Sequence, residues 1–183
     1  GYNSTYAVHM TGTVGLPAKP PYAYAGMGFD FIDPAGGTKV QYDMSAFTGI
    51  RFYAKKEAVT GTHSNIWFKV TDYYTTPRSA GGKCTSNCED PFGVSITEPP
   101  AATGLPSLST GWQLYQVVCN GIKTDKDGTG GHLSQAGWGT IPACSDGTFD
   151  GCFPSANVFS VQFAEYESDG LNFNVWVDDL RFY

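Results

Sequence analysis

Apolar residues in this chain never recur at a helical spacing over any sustained stretch; they alternate with polar ones, or form short runs, between Gly, Pro, Asn and Asp. A two-residue period confines the fold to strands and loops. Strands are predicted near 4–10, 22–31, 49–55, 65–71, 92–97, 112–118, 158–166 and 173–183. Strands that each turn one face to a core suit an all-β, two-sheet antiparallel sandwich, and jelly-roll order would alternate consecutive strands between the sheets. Long connections fall at 73–91, 98–111 and 119–157. The last exceeds what a compact domain leaves unstructured, so it is read as functional, disulfide-pinned or both.

At 183 residues the chain suits a single domain over 1–183, with one core. The formal charge of −6, with 11 Lys and Arg against 17 Asp and Glu, disfavours nucleic acid and anionic membrane surfaces, which need clustered basic residues. No apolar run approaches the ~20 residues that span a bilayer, so no membrane insertion is expected. The chain opens directly on a strand, as a mature product or an excised piece would. "CTSNC" and "CSDGTFDGC" are tight loops without a nearby His, which favours local disulfides Cys84–Cys88 and Cys144–Cys152 over a zinc site. Disulfides point to a secreted, extracellular protein. Cys119 is left as a buried thiol or as the partner of a cysteine on another segment.

Alternation sorts the side chains by face. Ile66, Phe68 and Val70 point one way and Trp67, Lys69 and Thr71 the other; Met27, Phe29 and Phe31 go in, and Tyr22, Tyr24, Gly26 and Gly28 go out. Phe159, Val161 and Phe163 go in, leaving Ser160 and Gln162 outside. In jelly-roll order the second, fourth, fifth and seventh strands share a sheet, whose solvent face presents Tyr22, Tyr24, Trp67, Lys69, Ser95, Ser160 and Gln162 together. Flat rings beside amide, hydroxyl and ammonium groups are the chemistry of a sugar platform. The same pattern also arises when exposed aromatics simply pair across a sheet.

The motifs "YDMSAFTGIRFYAK", "WFKVTDYYTTPRSAGGKCTSNCEDPFGVSIT", "LSQAGWG" and "VFSVQFAEYE" with "FNVWVDDLRFY", in that order, resemble the family-11-like carbohydrate-binding modules of bacterial secreted proteins, within the galactose-binding-like jelly rolls. The resemblance covers about residues 4–183. It implies a polysaccharide cleft on the concave sheet and a structural calcium ion (Ca2+) on the opposite side, with Asp178 as a ligand. Family members usually begin with one further strand, which is absent here. The sheet edge beside residues 4–10 is therefore open to a neighbouring chain or a missing strand.

Asp178 and Asp179 interrupt the last strand. A carboxylate aimed at a core requires a cation or several donors. Strict alternation sends Asp179 inward after Val177, yet Leu180 and Phe182 then need a one-residue slip, so a bulge is expected at the pair. The pair also fits the end of a sheet, or ion pairs with Arg181, Arg51 or a lysine.

Three functional classes follow. A binding module would use Tyr22, Tyr24 and Trp67 for stacking, Lys69 and Gln162 for hydroxyls, Asp72, Tyr74 and Arg78 as one wall and Trp138 as the other, to hold a β-glucan or related polysaccharide. A structural or assembly subunit of a filament or surface layer would exploit the open edge. A jelly-roll glycoside hydrolase would need two carboxyls facing one cleft. Asp72 and Asp90 could approach each other, while Glu165 and Glu167 read as a hairpin rim. Trp112 and Trp176 are expected to be structural.

Overall fold

In the computed structural model the described residues are 1–15, 24–33, 35–119, 132–136, 139, 153–165 and 170–183. Among the described residues eight strands appear in the predicted order: β1 (Val8–Thr13), β2 (Ala25–Asp30), β3 (Gly49–Lys56), β4 (Trp67–Asp72), β5 (Phe92–Ser95), β6 (Gln113–Val118), β7 (Val158–Glu165) and β8 (Asn172–Phe182). They form two antiparallel sheets, ordered β1-β8-β3-β6 and β2-β7-β4-β5. Strands β2, β4, β5 and β7 do share a sheet, as jelly-roll order requires, and consecutive strands alternate between the sheets except at β4 and β5, which pair with each other. The first strand starts later than its apolar pattern suggested, at Val8 instead of residue 4. Residues 1–7 instead run over the outer face of the first sheet, where Tyr2 stacks on Tyr53 at 3.6 Å between centroids.

Inward residues of both sheets meet in one aromatic core. Phe52 packs against Phe68 and Phe163, each 4.9 Å away between centroids, and stacks on Tyr115 at 5.1 Å. All four rings are fully buried. The Tyr115 hydroxyl donates to the Ile96 carbonyl at 3.3 Å, so this buried phenol keeps a partner. A second ring cluster, Phe31, Tyr42, Phe47 and Phe182, closes one end of the sandwich. Cys119 is a buried thiol, its pKa pushed up to about 12 by burial.

The paired aspartates sit at a β-bulge. Tyr53 faces Asp178 and Arg51 faces Arg181, so Phe52 alone opposes Asp179 and Leu180, with Asp179 at φ 53°. One extra residue there returns Leu180 and Phe182 to the core after Val177. A second bulge, on β7, overturns one expectation. Thr71 pairs with Ser160 but Asp72 pairs with Val158, so Val158 takes the central core position and Phe159 is buried outside that cluster, against Tyr73. Glu165 is likewise no rim residue: it is fully buried, on the same face of β7 as Phe163.

Candidate functional site

Register places three transverse rows on the outer face of the β2-β7-β4-β5 sheet. Gly26, Ala164, Trp67 and Ser95 form the first, Gly28, Gln162, Lys69 and Gly93 the second, and Asp30, Ser160 and Thr71 the third. With strands about 4.8 Å apart and rows two residues apart, a full row is about 14 Å long and neighbouring rows lie about 7 Å apart. Both edge strands carry glycine beside the central residues. A Cβ on Gly93 would stand 2.7 Å from Lys69 Cγ, and one on Gly26 would stand 2.8 Å from Ala164 Cβ. The result is a trough floored by Trp67, Lys69 and Gln162 with no side chain standing at its glycine margins. Tyr24, the residue just before β2 and on the parity of Gly26 and Gly28, is 74% exposed. Tyr22 lies outside the described residues.

Lys69 lies with its ammonium 5.7 Å from the Trp67 ring centroid, a cation–π contact. Burial lowers its pKa to about 8, while Asp90 and Glu165 pull it back up. Lys69 is therefore mostly protonated at pH 7 and loses its charge as the pH rises through about 8.

Two loops border the trough, each tied down by a buried aspartate. Asp72, expected on the wall, is instead fully buried beneath it. Its Oδ1 accepts the Tyr74 and Thr75 amides at 2.8 and 3.1 Å, and its Oδ2 accepts the Thr75 hydroxyl at 2.7 Å. Burial raises its pKa to about 6 against those three hydrogen bonds, with Asp90 raising it further. The rest of the loop is braced by the Cys84–Cys88 disulfide and by Lys83 N–H to Tyr73 O at 2.7 Å and Glu89 N–H to Thr75 O at 2.8 Å. Gly82 is required there, since a Cβ would fall 1.9 Å from the Thr76 carbonyl oxygen. Tyr74 is half-buried under the Lys83 ammonium, and Arg78 is exposed at the start of a 3-10 turn.

On the other side, Ser134 exchanges backbone hydrogen bonds with Gly93 at 2.8 and 3.0 Å, adding a short stretch to the β5 edge. Asp90 receives the amides of Ala136 at 3.1 Å and Gly139 at 3.0 Å. These bonds anchor Ala136 and Gly139 on Asp90; Trp138 lies outside the described residues, as do Cys144 and Cys152.

Three outward residues of the sheet are not free. Ser95 is buried, donating to Asn65 Oδ1 at 2.6 Å and accepting the Glu98 amide at 2.9 Å. Thr71 and Ser160 are buried with their hydroxyls 2.6 Å apart, beneath Lys39, whose ammonium is 3.5 Å from Ser160 Oγ and 2.5 Å from Asp30 Oδ1. Sequence reasoning missed both members of that ion pair. Asp30 was accessible to it, because it continues the parity of Gly26 and Gly28. Lys39 was not, because it belongs to no strand.

On the opposite sheet Asp178 accepts the Ser4 hydroxyl at 2.8 Å and the Asp179 amide at 2.8 Å. Slight burial pushes its carboxyl up, but Ser4, the Asp179 and Tyr2 amides and the N-terminal ammonium outweigh it, so its pKa is lowered. Asp179 pairs with Arg181. Calcium takes six to eight oxygens. Around Asp178 stand the Ser4 hydroxyl and, bonded to it, the Tyr6 carbonyl, and among the described residues no group of three or more His, Cys, Asp or Glu could hold a metal. The Ser4 hydroxyl has one proton for two acceptors, so three oxygens, Ser4 Oγ, Tyr6 O and Asp178 Oδ2, converge there among the described residues, fewer than the six to eight that calcium takes. Trp112 and Trp176 flank Lys55 at 5.6 and 5.7 Å, and His9 stacks on Trp176 at 3.9 Å.

The fold is the jelly roll of the family 11 carbohydrate-binding modules. The family 11 module from Clostridium thermocellum in complex with a β-1,3-1,4-mixed-linked tetrasaccharide aligns with a TM-score of 0.54 at 15% identity, over 98% of this chain and 76% of that one. The family 11 module of a cellulosomal cellulase of Clostridium thermocellum aligns with a TM-score of 0.51 at 14% identity, over 98% of this chain and 83% of that one. No family model and no curated protein matches the sequence.

Proposed function

We propose that the chain is a secreted, non-catalytic carbohydrate-binding module that holds a β-glucan or related polysaccharide across the outer face of the β2-β7-β4-β5 sheet. The observation that carries this reading is the register that sets Trp67 beside Lys69 and Gln162 in a trough with glycine margins. The Trp67 ring packs against the apolar C–H face of a pyranose, and Lys69 and Gln162 bond its hydroxyls. The mixed-linked tetrasaccharide bound by one structural neighbour supports a β-glucan as the ligand class. Absence of catalysis is supported by Asp72 and Asp90, whose carboxylates hold loop amides and so do not face a glycosidic bond. The Cys84–Cys88 disulfide supports an oxidising, extracellular setting.

The test is affinity electrophoresis in gels containing mixed-linked β-glucan. Retention is expected, and Trp67→Ala should weaken it by about 1–3 kcal/mol with little change in melting temperature. Unaltered retention would remove Trp67 from the site.

One observation favours a second reading, an assembly subunit. Strand β1 pairs only with β8 among the described strands, and Val8, on the core-facing parity of Met10, is 41% exposed. Such an edge can accept a strand from a neighbouring chain. Concentration-dependent oligomers in sedimentation velocity, abolished by Met10→Pro on that strand, would support it; a monomer at all concentrations would exclude self-assembly.

A further inference from the structure

We infer that the Asp30–Lys39 pair is a second recognition point of the trough, reading two adjacent hydroxyls of the bound glycan; this rests on the carbohydrate-binding reading above. Asp30 is the outward residue at the end of edge strand β2, in the third row with Ser160 and Thr71. Lys39 is delivered over that row by a segment bonded on both sides. Its own amide donates to Ala80 O at 3.2 Å, Gln41 Oε1 accepts from Asn157 Nδ2 at 2.7 Å, and Tyr42 exchanges backbone hydrogen bonds with Val158 at 2.8 and 3.2 Å. The two charged groups are thus placed by different elements, and neither depends on the other for its position.

An ammonium has three donors and a carboxylate several acceptor directions. Lys39 directs one N–H to Asp30 Oδ1 and another toward Ser160 Oγ, leaving a donor beside the Asp30 Oδ2 acceptor. Both side chains remain partly open, at 26% and 31% exposure. A fixed donor next to a fixed acceptor complements a vicinal diol: one hydroxyl accepts from Lys39 and its neighbour donates to Asp30, through charge-assisted bonds. An exposed ion pair contributes little to stability by itself. The third row lies about 7 Å from the Lys69 and Gln162 row, so one sugar ring laid between them reaches both.

The chemistry names a ligand class. A β-1,4-linked glucose residue keeps its 2- and 3-hydroxyls free and adjacent, whereas a β-1,3-linked residue has no adjacent free pair. The site is therefore built for polysaccharides that contain 1,4-linked residues, with Asp30 and Lys39 as the discriminating groups.

Titration calorimetry of the whole chain with mixed-linked β-glucan, purely 1,3-linked glucan and periodate-oxidised mixed-linked glucan, whose diols are cleaved, tests this. The wild type should bind the untreated mixed-linked polymer about tenfold tighter than either other probe. Lys39→Met and Asp30→Ala should each lower its affinity about tenfold and remove the discrimination. Lys39→Arg, which keeps the charge, should restore most of it. Equal binding of periodate-treated and untreated polymer, or variants that keep the wild-type ratio, overturns the inference. If Trp67→Ala weakens binding while the Asp30 and Lys39 variants do not, this inference falls alone. If the wild type binds no probe, the β-glucan reading falls and takes this one with it.

Discussion

Replacing Asp72 with Asn should stabilise the protein at neutral pH. The carboxylate is fully buried and its pKa is raised to about 6 from 3.8, burial being the main cause. Between those values the folded chain holds a proton that the unfolded chain has released, so stability falls as pH rises through that window and stays low above it. A shift of about two units corresponds to about 3 kcal/mol. Asn carries no charge to desolvate, its carbonyl can accept the Tyr74 and Thr75 amides, and its NH2 can donate to the Thr75 hydroxyl, which turns to accept. Asp72→Asn should therefore gain up to about 3 kcal/mol at pH 8, or about 6–12 °C in melting temperature for a chain of this size. Near pH 3.5 it should match the wild type. Calorimetric melting from pH 3.5 to 8 reads both. Asp72→Ala, which loses the acceptors, should instead destabilise by about 1–2 kcal/mol even at pH 3.5. A less stable Asp72→Asn at pH 8, or a wild type whose loss of stability from pH 4 to 6.5 persists in the variant, would refute the reasoning.

Glucan affinity should fall from pH 7 to 9 as Lys69, with its pKa lowered to about 8 by burial, gives up its proton, and Lys69→Met should flatten that profile; an unchanged slope in the variant would assign the titration elsewhere. Reducing Cys84–Cys88 should loosen the loop over 73–91 and weaken glucan binding, and binding that survives reduction unchanged would deny the disulfide a positioning role. EDTA should lower the melting temperature if Asp178 ligates calcium, and a superimposable melting curve would count against the ion.

Much of the site was legible from parity alone. Trp67 and Lys69 fall on the outer face and Phe68 and Val70 inside because successive side chains of a strand alternate, and that rule needs only the sequence. The bulge at Asp178 and Asp179 was legible for the same reason, since Val177 and Leu180 cannot both face inward without one extra residue. Parity failed at Phe159, where a second bulge has no comparable sequence signal. It also assigned Ser95 and Ser160 to the open surface, and both are buried, while Asp72, read as part of a loop wall, follows the inward parity of Phe68 and Val70. Alternation names a side of the sheet without saying whether a loop covers it.

The sequence by itself determined which segments are strands and, outside the bulges, which side of the sheet each side chain takes, because these follow from local periodicity; the sheet that β2, β4, β5 and β7 share followed only once jelly-roll order was assumed. Tertiary structure alone decided that Lys39 reaches across to Asp30, that Ser134 extends the β5 edge and that Asp72 and Asp90 lie beneath the walls. Those facts depend on where loops far apart in the chain come to rest. Burial, and with it the charge state of Lys69 and Asp72, is a property of everything that packs around a group rather than of its neighbours in sequence.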